Sequence, residues 1–220
     1  MNDLPQLSGP EAEPASGGPA KQLIVFVHGY GADGNDLFSL SQYFAHVAPD
    51  AAFISPNAPY RCDGAPFGYQ WYDVWMQDPA ERLAAIRSTA EIFDNFITQQ
   101  LERRGLTEEN LVLIGFSQGT MMSLFAAPRR EKAVAGIVGY SGRMESPEIL
   151  ADEIRAKPPV VMVHGDSDEL LAVSDMETAA AALKECGVEI ETHVRPGLGH
   201  GIDEDGIRIG LDFVKRVLAT

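Results

Sequence analysis

A serine flanked by glycines follows an apolar run directly, in the sequence Gly115-Phe116-Ser117-Gln118-Gly119. A strand-to-helix turn tight enough to require small flanking residues holds the serine hydroxyl clear of the backbone. The free N–H groups at the start of the following helix point toward the same place, where they can stabilise negative charge. The pattern indicates that Ser117 is a nucleophile, although the same motif also occurs in ordinary strand-to-helix turns.

A serine hydroxyl needs a general base to take its proton, and the chain contains five histidines. His200 lies in a glycine-rich loop between the last predicted strand and the last predicted helix. His28 and His164 each precede a glycine directly after a strand, and we expect them to hold those loops through side-chain hydrogen bonds. His46 lies in a helical stretch with no polar loop around it, and His193 lies inside a predicted strand. His200 is therefore the predicted base.

The base in turn needs a carboxylate to orient it, and four acidic residues follow the predicted strand 159–165. Asp166 comes directly after a glycine and is expected to cap the loop through backbone amides. Asp168 lies further out, where its side chain can reach His200, and we favour it as the orienting residue. Glu169 is the alternative, because some triads use glutamate. The fourth residue, Asp175, lies beyond the loop.

Two backbone amides are candidates for the oxyanion hole. The N–H of Gln118, directly after the nucleophile, supplies one donor, and the loop after the first strand supplies the other, through the N–H of Tyr30. Removing one such donor typically lowers turnover by ~10²–10³. Because both donors are backbone groups, we expect the N–H of Gln118 to matter more than its side chain.

The elements that would position these residues alternate between short apolar runs and longer amphipathic segments. Such alternation predicts an α/β fold with a mostly parallel sheet covered by helices on both faces, and functional groups gather at the C-terminal ends of the strands in such sheets. The predicted strands are 23–27, 51–56, 111–115, 134–142, 159–165 and 188–194, and the predicted helices are 80–104, 118–127, 174–186 and 205–218.

Residues 1–20 contain four prolines and three glycines and show no periodicity, which is typical of a flexible tail. The remainder, 21–220, is predicted to form one catalytic domain. With 220 residues, 45% of them apolar, the chain is long enough to bury a sizeable core.

The formal net charge of −15 disfavours a nucleic-acid partner and binding to an anionic membrane surface. The N-terminus shows no secretory signal, and no apolar run approaches the ~20 residues that span a bilayer. We expect a cytoplasmic protein without stable membrane insertion, whose oligomeric state, monomer or homodimer, stays open. The spacing of the cysteines and histidines matches no metal site, and the predicted chemistry needs no cofactor.

Five stretches together resemble one known family: "FVHGYGADGNDL", "WYD", "GFSQG", "HGDSD" and "GLGHGI". They are similar to the phospholipase/carboxylesterase family of the α/β-hydrolase fold, which includes bacterial carboxylesterases and acyl-protein thioesterases. The resemblance covers about residues 21–220 and implies a triad of Ser117, Asp168 and His200, in the chain order of nucleophile, acid and base.

The sequence departs from the family pattern at two places. The family usually has a proline and then valines after the acidic residue, whereas Glu169, Leu170 and Leu171 follow Asp168 here. This loop borders the acyl pocket in the family, so Leu170 and Leu171 are candidate pocket residues. The family often has leucine at the position of Tyr30, whose side chain could narrow or polarise the mouth of the site.

Trp71 and Tyr72, in the "WYD" stretch, are equally compatible with a role in the pocket and with core packing. The function implied for the whole chain is a serine carboxylesterase acting on small-molecule esters with short to medium acyl chains. The alternatives are an acyl-protein thioesterase or lysophospholipase with the same triad, or a binding protein on a hydrolase scaffold that has lost its activity.

Overall fold

The computed structural model of the protein describes residues 4–62 and 67–219. Residues 1–3 of the predicted tail, and 63–66 and 220 of the predicted domain, lie outside the described residues. The strands are β1 (Glu11–Ala12), β2 (Gln22–Val27), β3 (Ala51–Ile54), β4 (Tyr60–Arg61), β5 (Tyr69–Gln70), β6 (Leu111–Phe116), β7 (Gly136–Tyr140), β8 (Val160–Gly165) and β9 (Ile190–Arg195).

Within these residues, the main sheet has seven strands in the order β1-β3-β2-β6-β7-β8-β9. All neighbours in it are parallel except β1, which pairs antiparallel with β3. β4 and β5 form a separate antiparallel pair. The C-terminal ends of the central strands therefore meet along one edge, as the sequence predicts.

The helices are α1 (Gly34–Phe38), α2 (Ser41–Val47), α3 (Pro79–Arg104), α4 (Gln118–Ala126), α5 (Leu150–Glu153), α6 (Val173–Glu185) and α7 (Glu204–Val217). They cover both faces of the sheet. Leu23, Val25 and Val27 of β2 belong to a core shared with α3, α4 and α6, whereas Ile24 and Phe26 belong to a core shared with α2 and α7. This two-sided burial explains why the central strands are apolar throughout, and it confirms the predicted fold class. In the described parts of the chain, no helix is long and apolar enough to cross a membrane.

The boundaries of the predicted elements are set by local chemistry. Asp78 caps α3 by accepting a hydrogen bond from the Ala80 N–H at 2.8 Å, and Gly105 ends it in the left-handed conformation with φ 65°. The largest difference concerns the predicted strand 134–142, which is a strand only over Gly136–Tyr140. Ser141 has a φ of 44°, which is incompatible with an extended ladder and ends the strand.

The segment predicted as a flexible tail contains β1, which no sequence pattern predicts. The C=O groups of Ser8 and Pro10 accept hydrogen bonds from the N–H groups of Asn57 and Ser55, at 2.9 and 3.0 Å. Glu11 forms ion pairs with Arg103 and Arg104 at the end of α3. A strand of two residues has no periodicity that could be read from the sequence.

The side chain of Gln118 fastens the segment after β5 to the first turn of α4. Its Oε1 accepts a hydrogen bond from the Trp71 N–H at 2.9 Å, and its Nε2 donates to the C=O of Tyr72 at 2.7 Å. The Thr89 hydroxyl donates to the C=O of Trp71 at 2.7 Å. All of these side chains are buried. The amide of Gln118 is therefore a structural tie in addition to its expected backbone role.

We expect Gln118→Met to lower the free energy of unfolding by roughly 2–4 kcal/mol, because it leaves two buried backbone groups unpaired at about 1–3 kcal/mol each. Urea denaturation followed by tryptophan fluorescence measures this change. Gln77→Met is the matched control, since among the described residues the Gln77 amide bonds only to the Trp75 C=O, at an exposed site, and it should change stability by less than about 0.5 kcal/mol. Equal effects of the two substitutions would contradict the structural role of Gln118.

Candidate active site

Ser117 lies at the turn between β6 and α4 in a conformation that non-glycine residues rarely adopt, with φ 53° and ψ −117°. A Cβ on Gly115 would lie 2.5 Å from the Thr120 nitrogen, and one on Gly119 would lie 1.8 Å from Val27 O. Both glycines are thus required by close backbone contacts. The turn is tight in the way that the sequence motif predicts.

His200 and Asp168 are brought together from loops that follow different strands. His200 Nδ1 lies 2.7 Å from Asp168 Oδ2. Because a carboxylate oxygen can only accept, Nδ1 carries the hydrogen and Nε2 of His200 is left with a free lone pair. The Phe116 ring packs against the His200 ring with a centroid distance of 5.0 Å, which places the histidine beside the serine turn. This tautomer is the one that a general base requires.

The Asp168 side chain is buried, and both of its carboxylate oxygens accept hydrogen bonds. Its Oδ1 accepts hydrogen bonds from the N–H groups of Leu170 at 2.9 Å and Leu171 at 3.0 Å. Burial raises the pKa of Asp168, but the hydrogen bonds from Leu171, His200 and Leu170 outweigh it, so that the pKa lies below its ordinary value. The carboxylate is therefore ionised at neutral pH, as an orienting partner for a protonated histidine must be.

The other acidic residues of this loop have different partners. Asp166 accepts a hydrogen bond from the Gly197 N–H at 2.7 Å, which ties the loop after β8 to the loop after β9. Asp175 Oδ2 accepts from the Ala172 N–H at 3.1 Å, at the start of α6. The side chain of Glu169 is exposed. Of the two candidates that the sequence leaves open, the structure places Asp168 against His200.

Ser117, the third member of the predicted triad, lies at the turn between β6 and α4. Within the described residues, no hydrogen bond joins the Ser117 hydroxyl to His200. Such contacts are often long or poorly aligned in unliganded enzymes and tighten when substrate binds. The Ser141 hydroxyl donates to the C=O of Gly201 at 3.1 Å, which holds the histidine loop against the end of β7. The structure thus joins two of the three residues directly and brings the third alongside.

The two amides predicted for the oxyanion hole flank the serine. A Cβ on Gly29 would lie 3.3 Å from the Ser117 Cβ, so the loop after β2 runs beside Ser117. The first hydrogen bond of α4 runs from the Met121 N–H to Ser117 O at 3.2 Å. The Gln118 N–H lies before this bond, where the N–H groups of a helix have no partner within the helix. In residues 4–62 and 67–219, no acceptor binds the N–H of Tyr30 or of Gln118.

His28 has the loop-holding role expected from the sequence. Its Nδ1 lies 2.7 Å from Gly29 O and donates to it, and its Nε2 accepts from the Ala58 N–H at 3.0 Å. Burial lowers the pKa of His28. His28 is therefore a neutral ring that fixes the loop carrying Tyr30.

The four candidate pocket residues differ in burial. Trp71 is fully buried and packs edge-on against Phe93 with a centroid distance of 5.1 Å, which matches core packing. Leu170 is 74% exposed, whereas Leu171 is half-buried and packs against the core. Tyr72 is buried as well, with its hydroxyl 3.1 Å from Met121 Sδ.

A buried polar cluster beyond Tyr72 was not predicted from the sequence. The Tyr72 hydroxyl donates to Glu145 Oε1 at 3.4 Å, and Glu145 forms ion pairs with Arg143 at 2.7 Å and Arg82 at 3.5 Å. Burial and the Glu145 carboxylate raise the pKa of Tyr72 well above its ordinary value, so the phenol stays protonated. Through Met121, the cluster contacts the helix that follows Ser117. No motif marks it, because its members come from three separate segments.

Comparison with known proteins identifies the family of this chain. The family model described as phospholipase/carboxylesterase matches residues 12–218. The chain is 25% identical to esterase YpfH of Escherichia coli over 90% of this chain and 83% of that protein. It is 27% identical to acyl-protein thioesterase 1 of Saccharomyces cerevisiae over 92% of this chain and 95% of that protein.

Solved structures give the same result. The crystal structure of esterase PE8 is 39% identical, covers 97% of this chain and 100% of its own, and superposes with a TM-score of 0.91. The family match, these relatives and the arrangement of the site agree with one another. The chain belongs to the phospholipase/carboxylesterase family and is a carboxylic ester hydrolase.

Proposed function

We propose that the protein is a serine carboxylesterase that hydrolyses esters with short to medium acyl chains through an acyl-enzyme intermediate. The observation that carries this proposal is the hydrogen bond of 2.7 Å between His200 Nδ1 and the buried Asp168 carboxylate, beside a serine in a strained turn. Together these groups form a nucleophile, a base in the correct tautomer and an ionised orienting group.

In the acylation step, Ser117 Oγ attacks the ester carbonyl carbon while its proton passes to His200 Nε2. The resulting imidazolium is stabilised by Asp168. The carbonyl oxygen becomes an oxyanion and accepts hydrogen bonds from the N–H groups of Tyr30 and Gln118. The tetrahedral intermediate collapses when the alcohol leaves with the proton from His200, and the acyl group stays on Ser117.

In the deacylation step, a water molecule attacks the acyl carbonyl and gives a proton to His200. The second tetrahedral intermediate expels Ser117 Oγ, which recovers the proton from His200. The products are a carboxylic acid and the free enzyme. Each proton that leaves one oxygen thus returns to another through the same imidazole nitrogen.

The proposed chain-length preference rests on the polar cluster around Glu145. Met121 lies one helical turn beyond Ser117, about 6 Å along the helix axis, and its sulfur contacts the Tyr72 hydroxyl. Behind it lie a buried carboxylate and two arginines. An alkyl chain that displaced the arginines would leave the buried Glu145 carboxylate without partners, which is costly. The cluster therefore favours a pocket that ends close to the serine on this side.

The alternative, an acyl-protein thioesterase or lysophospholipase, uses the same catalytic groups on a long acyl chain. It is supported by the relatives named acyl-protein thioesterase and by large apolar side chains that are open to solvent. Leu170 is 74% exposed and Trp75 is 69% exposed. A long chain could lie over such residues instead of entering the interior.

We expect Ser117→Ala to lower kcat toward p-nitrophenyl acetate by at least about 10³-fold, because the nucleophile is removed. The wild-type protein should also be labelled by a fluorophosphonate probe and the variant should not. Ser174→Ala, at an exposed position of α6, is the control and should keep both properties. A Ser117→Ala protein that retains wild-type turnover would refute the mechanism, and an unlabelled wild-type protein would favour an inactive binding protein.

Comparing p-nitrophenyl esters with acyl chains of ~2 to ~16 carbons separates the two candidate functions. We expect kcat/KM to be highest at about 2–8 carbons and then to fall, since each methylene that a pocket accepts or rejects changes the barrier by about 1–3 kcal/mol. Thioesters of the same acids should follow the same profile, with Ser117→Ala as the blank for spontaneous hydrolysis. A rate that rises up to the longest chains would favour the thioesterase or lysophospholipase function.

A further inference from the structure

His164 is a buried histidine at the end of β8 that the mechanism leaves unused. Its side chain and that of Asp168 are both 0% exposed, and His164 Nε2 lies 3.2 Å from Asp168 Oδ2. The same nitrogen lies 3.0 Å from Leu171 O. His164 thus contacts the carboxylate oxygen to which His200 donates its hydrogen bond.

The partners of His164 determine its tautomer. A backbone carbonyl oxygen can only accept, so the contact with Leu171 O requires a hydrogen on Nε2. This hydrogen is donated to Leu171 O, and the same N–H lies close to Asp168 Oδ2. The other ring nitrogen, Nδ1, is buried and has no hydrogen-bond partner in residues 4–62 and 67–219. A hydrogen on Nδ1 would be a buried donor without an acceptor, which favours the tautomer with its hydrogen on Nε2.

Asp168 therefore has four polar contacts. Its Oδ1 accepts hydrogen bonds from the backbone amides of Leu170 and Leu171, and its Oδ2 accepts one from His200 and lies 3.2 Å from Nε2 of His164. The amides hold one oxygen in place. The position and the electron density of the other oxygen depend on both histidines, and only one of them exchanges a proton during the reaction.

We propose that His164 is a positioning residue of the triad, which aligns Oδ2 of Asp168 with His200 and moderates how strongly that oxygen stabilises the imidazolium. This inference rests on the proposed function. The N–H of His164, whose nitrogen lies 3.2 Å from Oδ2, withdraws electron density from that oxygen and so makes it a weaker acceptor for His200. It also fastens the loop that supplies the two amides, because the same N–H binds the C=O of Leu171.

The charged groups on the adjoining elements remain unchanged when only residue 164 is substituted, so their electrostatic effect is the same in the wild type and in each variant. They are Asp166 and Glu169 on the same loop, Arg195 on β9 with its partners Asp203 and Asp205, Arg143 after β7, and Asp175 on α6.

The test compares His164→Phe, which keeps a ring but removes the donor, with His164→Gln, whose amide can donate in place of Nε2. Without the donor, Oδ2 carries more uncompensated charge and stabilises the protonated His200 more strongly. We therefore expect the acidic limb of the kcat/KM profile to move upward by roughly half a pH unit in His164→Phe. Its kcat on the plateau should fall about tenfold, because the carboxylate is less well aligned.

In His164→Gln, the limb should stay at the wild-type position. All rates are expressed per site labelled by a fluorophosphonate probe, so a misfolded fraction does not affect them. If His164→Phe does not fold, His164→Met is the second variant without a donor. A limb that stays at the wild-type pH in every folded variant would overturn the inference, even if thermal stability falls. Failure of the proposed function is distinguished separately, by a wild-type protein that the probe does not label or a Ser117→Ala variant that stays active.

Discussion

The active site depends on keeping the Asp168 carboxylate ionised although it is out of contact with water. An unpaired buried charge costs several kcal/mol, so this group must be satisfied by donors on every side. The loop after β8 supplies two of them from its own backbone, and the loop after β9 supplies His200. The two loops are in direct backbone contact, since a Cβ on Gly165 would lie 2.0 Å from Leu198 O. The Asp168 carboxylate thus links the loop after β8 to the loop after the adjacent strand β9.

The strained conformation of Ser117 is likewise held by several hydrogen bonds and close contacts from neighbouring residues. A left-handed non-glycine residue costs about 1–3 kcal/mol and persists only where its surroundings over-determine it. The Ser117 N–H donates to the C=O of Tyr140 at 2.9 Å, and the Thr120 hydroxyl donates to the same oxygen at 2.9 Å. Ser141, directly after Tyr140, also has a positive φ. The ends of β6 and β7 therefore constrain each other, and the Ser141 hydroxyl links them to the loop of His200 through the C=O of Gly201.

The sequence predicts the features that residue types encode locally. The apolar runs of the central strands, the amphipathic face and the terminal glycine of α3, and the glycines around Ser117 are each explained by neighbours within a few positions. It does not predict the tie between Gln118 and the segment after β5, because the partners are backbone groups far along the chain and carry no residue identity. The contact of His164 with Asp168 escapes prediction for a related reason. A histidine that holds a loop and one that also touches the triad have the same local sequence.

The reaction can be inferred more firmly than the substrate, because the reacting groups are closely constrained and the groups that would meet the substrate are not. The groups proposed to perform the chemistry are backbone amides and side chains fixed by the serine turn or by the hydrogen bonds of Asp168, and a small set of residue types satisfies them. The groups that would meet the substrate are loosely constrained. Leu170 is mostly exposed, and Trp75 contacts the protein near the site through a hydrogen bond of 3.4 Å from its Nε1 to the Tyr30 hydroxyl. Side chains with so few partners can change without disturbing the triad, so substrate preference can diverge within a family while the catalytic geometry stays the same.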